Sequence, residues 1–247
     1  MRSYLKFLFA LVLGMFYAAA DINAQQVSQA KEPAHRLVIA PLMGVSHSEL
    51  KSAHSANVTD TQPEYGLFTL YQDQHLTINN MLFLTNVDSS DVSGDLFFAN
   101  LYGDPKSEWT WNLGAGYLWH EIRSSANNIV IHVPMVKVGV VRRFKRVPLS
   151  LNPYIGYSWE SVDTTRGDSR SEAWLYGLST TWHWRRLNVA ASYYLEDKVD
   201  THDHYNVARL RGIFFLNDAV GIMARIEYME HATIDNTSVL FGPAFVL

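Results

Sequence analysis

EWTWNLGAGYLWHEI, residues 108–122, decides how the chain is read. Trp109, Trp111, Leu113, Ala115, Tyr117 and Trp119 take alternate positions, and Thr110, Asn112, Gly114, Gly116 and His120 lie between them. Successive side chains of a strand point to opposite faces. The segment is therefore a strand with one apolar face and one small or polar face. The apolar face carries tryptophan at both ends. A soluble sandwich also alternates, but its apolar face is aliphatic and turned inward. Aromatic ends suit a wall that crosses a bilayer between two interfacial girdles.

The same pattern repeats outward from there. Leu149, Leu151, Pro153, Ile155, Tyr157 and Trp159 alternate with Ser150, Asn152, Tyr154, Gly156, Ser158 and Glu160. Leu187, Val189, Ala191, Tyr193 and Leu195 alternate with Asn188, Ala190, Ser192 and Tyr194. Twelve such segments are expected, at 36–47, 64–73, 75–85, 91–102, 108–122, 128–142, 148–162, 171–184, 187–197, 204–216, 219–230 and 237–247. Nothing with helical period interrupts them. Tight links at 73–74, 103–107, 143–146, 185–186 and 217–218 alternate with mostly longer ones at 48–63, 123–127, 163–170, 198–203 and 231–236; the link at 86–90 is short and fits this alternation less well. Short turns at one end and longer loops at the other, with an even strand count, describe an all-β, up-and-down antiparallel transmembrane barrel with both termini at the short-turn end.

The start of the chain reads as an export signal. Arg2 and Lys6 precede an apolar run from Phe7 to Ala20, and small residues follow at Ala18–Ala20 and Ala24. Cleavage after Ala20 and cleavage after Ala24 both fit the small-residue rule. The run is short for a spanning helix, which needs about 20 apolar residues. The expected division is a signal peptide at 1–24, a short periplasmic lead-in at 25–35 and a barrel at 36–247. Beyond the start no stretch is apolar enough to cross as a helix, so a membrane location requires a closed barrel, which satisfies its own backbone. Composition agrees: no cysteine, 13% aromatic residues and 18% charged residues, the last below the soluble average of about 25%. A net charge of −4 gives no reason to expect nucleic acid.

The last segment, Thr237–Leu247, sets Val239, Phe241, Pro243, Phe245 and Leu247 on one face. It resembles the C-terminal strand by which bacterial outer-membrane barrels are recognised for insertion, with Leu247 where that signal usually ends in Phe. The whole region after the lead-in is similar to that class in pattern rather than in a diagnostic motif. The resemblance implies a Gram-negative outer-membrane location, assembly by the barrel-assembly machinery through Phe241, Phe245 and Leu247, and a wall in contact with outer-membrane lipids and lipopolysaccharide. It implies no cofactor. The nucleoside channel, the acidic-oligosaccharide porins, the outer-membrane phospholipase and one type of lipid A deacylase share this size, so function stays open.

Catalysis has weak support. The phospholipase and another type of lipid A deacylase place His and Ser two residues apart on one strand face, and no histidine here has Ser two residues later; His75 and His231 are followed by Thr77 and Thr233. His47-Ser48-Glu49 and His120-Glu121 lie near expected outer strand ends, but adjacent strand residues face opposite ways. Asp200, His202, Asp203 and His204 crowd one outer loop and read as a hydrated acidic loop rather than a metal site. Arg142, Arg143, Lys145, Arg146, Arg185 and Arg186 sit at tight turns, where they suit anionic head groups. The outer loops lean acidic, with Asp88 and Asp91 among them.

The interior carries more information. Arg209 and Arg211 alternate with Leu210 and Gly212, and Arg225 and Glu227 alternate with Ala224 and Ile226. Arg on the lipid face costs about 2–4 kcal/mol at mid-membrane, so these charges are expected in the lumen. Lys137, after an expected bulge at Pro134, and Glu160 join them. Three readings follow: a narrow channel for small solutes, with Arg209, Arg211 and Arg225 favouring anions; a closed structural or adhesive barrel acting through its outer loops; and a lipid-modifying enzyme.

Overall fold

The computed structural model describes residues 35–51, 58–87, 90–124, 128–145, 147–165, 167–201, 203–231 and 234–247, with the backbone alone at His35, Leu50, Val58 and Val87. The expected signal peptide and nearly all of the lead-in, along with Asp88, Arg146, His202 and Thr233, lie outside the described residues.

Among the described residues there are twelve strands: β1 (His35–Leu50), β2 (Val58–Asp73), β3 (Leu76–Val87), β4 (Ser90–Tyr102), β5 (Trp109–Arg123), β6 (Asn128–Arg143), β7 (Leu149–Thr164), β8 (Gly167–Trp184), β9 (Leu187–Lys198), β10 (His204–Phe215), β11 (Val220–Glu230) and β12 (Ile234–Val246). Each pairs antiparallel with its sequence neighbours, and β1 pairs with β12, so the sheet closes. This is the expected all-β, up-and-down barrel. Closure gives every strand two neighbours, so the sheet has no edge strand.

The alternation maps onto the two faces. Trp109, Trp111, Leu113 and Tyr117 are exposed on the outside of β5, while Thr110 and Asn112 are buried inside it. Phe214, Ile222, Phe241 and Phe245 continue the exposed apolar belt on β10–β12.

The structure corrects two details. β6 has no bulge at Pro134: His132 pairs with Ser161 and Met135 with Ser158, so the register against β7 is unbroken. Lys137 reaches the inner face by simple alternation. Several strands also run further than their hydrophobic pattern. β2 starts at Val58 because Thr59–Pro63 keep pairing with β1. A ladder is held by backbone groups and continues where side chains turn polar.

The rim is uneven as a result. Val58–Thr61 of β2 pair with β1 and lie beyond the level of Val87, where β3 ends among the described residues. Gly167–Ser171 of β8 pair with β7 and lie beyond Glu172, whose carbonyl accepts from the Val199 N–H just past β9. At about 3.3 Å per residue, these extensions of four and five residues stand roughly 13–17 Å along the strand beyond their lower neighbours. At the opposite end the turns are tight. Between β8 and β9 the chain reverses over Arg185-Arg186, with Arg185 at φ 50°, a left-handed conformation that side chains with a Cβ adopt at a cost.

Candidate functional site: the barrel lumen

Inward-facing positions on β10 and β11 bring the expected charges together. Arg209 stands opposite Glu227, and Arg211 opposite Arg225. The Arg209 guanidinium donates a short hydrogen bond to Glu227 Oε2, and Arg225 Nη2 donates to the same oxygen at 2.6 Å. One carboxylate thus bridges two cations. Arg209 also reaches the Tyr194 hydroxyl, 3.5 Å away on β9. Arg211 has a different environment: its guanidinium lies 4.8 Å from the centre of the Phe68 ring. Phe68 belongs to β2, so this contact crosses the lumen.

Lys137 and Glu160 take separate places. Lys137 Nζ sits 4.4 Å from both the Phe98 and the Tyr154 ring centres, on β4 and β7. Such a cation–π cage holds an ammonium without a carboxylate. Glu160 is not part of the arginine cluster. It pairs with Lys198 Nζ at 2.9 Å and accepts from Ser171 at 3.1 Å, nearer the outer rim.

Sequence reasoning missed several lumen residues. Glu64 is buried on the inner face of β2, where it interacts with Ser238 and Arg225. Its parity with Gly66, Phe68 and Leu70 identifies it, but it lay at the expected start of the strand. Lys198 lay at a loop boundary in the same way. The Arg36 guanidinium rests 4.3 Å from the Phe215 ring centre.

Toward the tight-turn end apolar side chains pack together on one side of the lumen. Val38, Ala40 and Leu42 of β1, Phe68 and Leu70 of β2, Met81 of β3, Ile213 and Phe215 of β10, Met223 of β11 and Leu240 and Ala244 of β12 form one buried apolar cluster. It joins β10 to β3, almost half of the circumference apart. The sector opposite mixes buried Asn112, Asn152 and Ser158 with buried Val133, Val141 and Leu175, and Asn152 Nδ2 donates to Asn112 Oδ1 at 3.2 Å across the intervening β6.

The candidate catalytic pairs are split by alternation. His47 bonds Thr61 Oγ1 at 2.8 Å on the outside, whereas Ser48 bonds Asn236 on the inside. His120 points inward, edge-on to Phe83 at 5.4 Å, while Glu121 points outward and pairs with Arg123 at 2.7 Å. His204 pairs with Asp197 at 3.1 Å. No group of three metal-ligating side chains occurs among the described residues. The terminal positions Phe241, Phe245 and Leu247 all face outward and are exposed.

No family model and no curated protein sequence matches this chain. Solved structures do. The translocator domain of the autotransporter NalP from Neisseria meningitidis is 14% identical, with 97% of this chain and 95% of that chain covered and a TM-score of 0.51. The transport unit of the autotransporter AIDA-I from Escherichia coli is 10% identical, with 93% and 97% covered and a TM-score of 0.49. An anion-selective porin from Comamonas acidovorans is 8% identical, with 86% and 100% covered and a TM-score of 0.37. At 14% identity the likeness to the NalP translocator domain is one of fold, the closed β-barrel.

Proposed function

We propose that this protein is an outer-membrane β-barrel whose lumen is closed by its own side chains and which acts through its outer rim, as a structural or adhesive barrel. The observation that carries this reading is the apolar cluster reaching from Ile213 and Phe215 on β10 to Met81 on β3. Side chains packed at interior density leave no room for water or ions in the part of the lumen they occupy. The uneven rim supports the second half of the reading, because the β1–β2 and β7–β8 hairpins are the parts most available to a partner. Residues 1–24 direct export, with cleavage after Ala20 or Ala24. Phe241, Phe245 and Leu247 serve assembly, and the outer belt faces lipid and lipopolysaccharide. Purified protein in a planar bilayer is expected to show no steady conductance, while fractionating with outer membranes and showing heat-modifiable gel mobility. Steady single-channel steps would overturn the closed reading.

A channel for small anions is the second reading, favoured by the polar groups of Asn112, Asn152, Lys137 and Arg209. It requires anion selectivity in a salt gradient that falls when Arg209→Ala and Arg211→Ala are combined. Cation selectivity, or selectivity indifferent to both changes, would exclude it.

A further inference from the structure

One charged side chain stands on the wrong side of the wall. On β4, Asp95 shares its face with Phe97 and Leu101, both exposed outside the barrel. Its partners in register are Leu82 on β3 and Trp119 on β5, also on the outer face. Asp95 lies mid-strand, away from either rim, and hydrogen-bonds Asn80, an outward residue of β3. Asn80 Oδ1 and Asp95 Oδ1 have no hydrogen-bond partner among the described residues. Acyl chains offer no donor. An ionisable group in the hydrocarbon region characteristically faces protein rather than lipid.

We propose that the Asn80–Asp95 pair on the β3–β4 wall is the contact through which a second copy of this chain packs in the membrane. This rests on the membrane reading given above. The pair holds an amide and a carboxylate side by side on neighbouring strands, so it is complementary to itself. A two-fold axis between β3 and β4 sets each Asn80 amide against the other copy's Asp95, as an isologous interface requires. It thereby supplies the donor that each carboxylate lacks. The surrounding wall permits close approach: outward Ala99 and Ala115 are opposite one another beside the pair, and small residues let backbones meet in membranes. On the same face, toward the rim, a groove of about 520 Å³ opens between Tyr65, Leu84 and Trp119, flanked by Glu121 and Arg123. It offers room for a side chain projecting from the second copy.

The chain has no cysteine, which makes the test direct. Copies carrying Asn80→Cys are co-expressed with differently tagged copies carrying Asp95→Cys, then oxidised in intact membranes. A disulfide-linked pair bearing both tags is expected, with none from Phe214→Cys and Ile222→Cys copies on the β10–β11 wall. In detergent, the wild type is expected to run as a dimer. Asp95→Leu, which places a lipid-compatible residue there, is expected to run as a monomer with unchanged heat-modifiable mobility. Cross-linking no greater than the control, a monomeric wild type, or a monomer carrying a tightly held lipid at this face would overturn the proposal. Absence from the outer-membrane fraction would instead overturn the membrane reading and this contact with it.

Discussion

Pro41 and Pro243 face each other across the seam where the barrel closes. Their opposition follows from the pairs on either side, Ile39 with Phe245 and Met43 with Phe241. Leu37 and Leu247 exchange both backbone hydrogen bonds, at 3.3 and 2.9 Å. Hydrogen-bonded sites recur every second residue in an antiparallel ladder, so Pro41 and Pro243 occupy such a site and neither has an N–H to donate. The β1–β12 seam is thus short of two ladder bonds. Restoring them with Pro41→Val and Pro243→Val is expected to add about 0.5–1.5 kcal/mol per bond. The readout is the temperature at which the folded gel band converts to the unfolded one. An unchanged or lower temperature would mean that the seam gains nothing from the added donors.

Gly44 and Gly242 lie along the same seam. A Cβ on Gly44 would collide with the Val239 carbonyl, and one on Gly242 with the Pro41 carbonyl. Backbone cannot yield as a flexible side chain does. Gly44→Ala and Gly242→Ala are each expected to reduce the folded, heat-modifiable form sharply. Gly212→Ala, where a Cβ meets nothing within 4 Å, serves as the tolerant control. Equal folded yields for all three would refute the collision argument.

Glu227 is the one acceptor shared by Arg209 and Arg225. Glu227→Gln removes the charge that both cations face. It is expected to cost about 3 kcal/mol, the low end for breaking a buried pair, because the Glu227 side chain is 26% exposed. Pairing it with Arg209→Met is expected to recover part of the loss. Urea unfolding of the protein in lipid vesicles measures both. Equal losses in the single and double variants would argue against the shared ion pair.

The final strand completes the closure, since β12 pairs with both β11 and β1. Removing Phe245–Leu247 deletes the outward Phe245 and the Leu37–Leu247 bonds together. Membrane levels of the truncated protein are expected to fall to background on an immunoblot. Normal levels would show that assembly does not use this end.

Alternation along each strand settled which side chains turn inward. Period two is a local property of extended backbone, so Trp109, Trp111, Arg209, Arg211, Arg225 and Glu227 could be assigned a face from spacing alone. The fold class followed from twelve such segments and the rhythm of their links. Asp95 was legible by the same parity with Phe97 and Leu101, yet it breaks the rule that keeps charge off the lipid face, and it stood out only once that wall was assembled. Contacts across the lumen were beyond spacing altogether. Arg211 meets Phe68 because closure brings β10 and β2 together across the interior, and Lys137 settles between Phe98 and Tyr154 because register places β4 and β7 close to β6. The apolar cluster in the lumen has the same origin: each inward Val, Leu or Met is unremarkable within its own strand, and only a circle of fixed width decides whether side chains from β10 to β3 gather into one cluster.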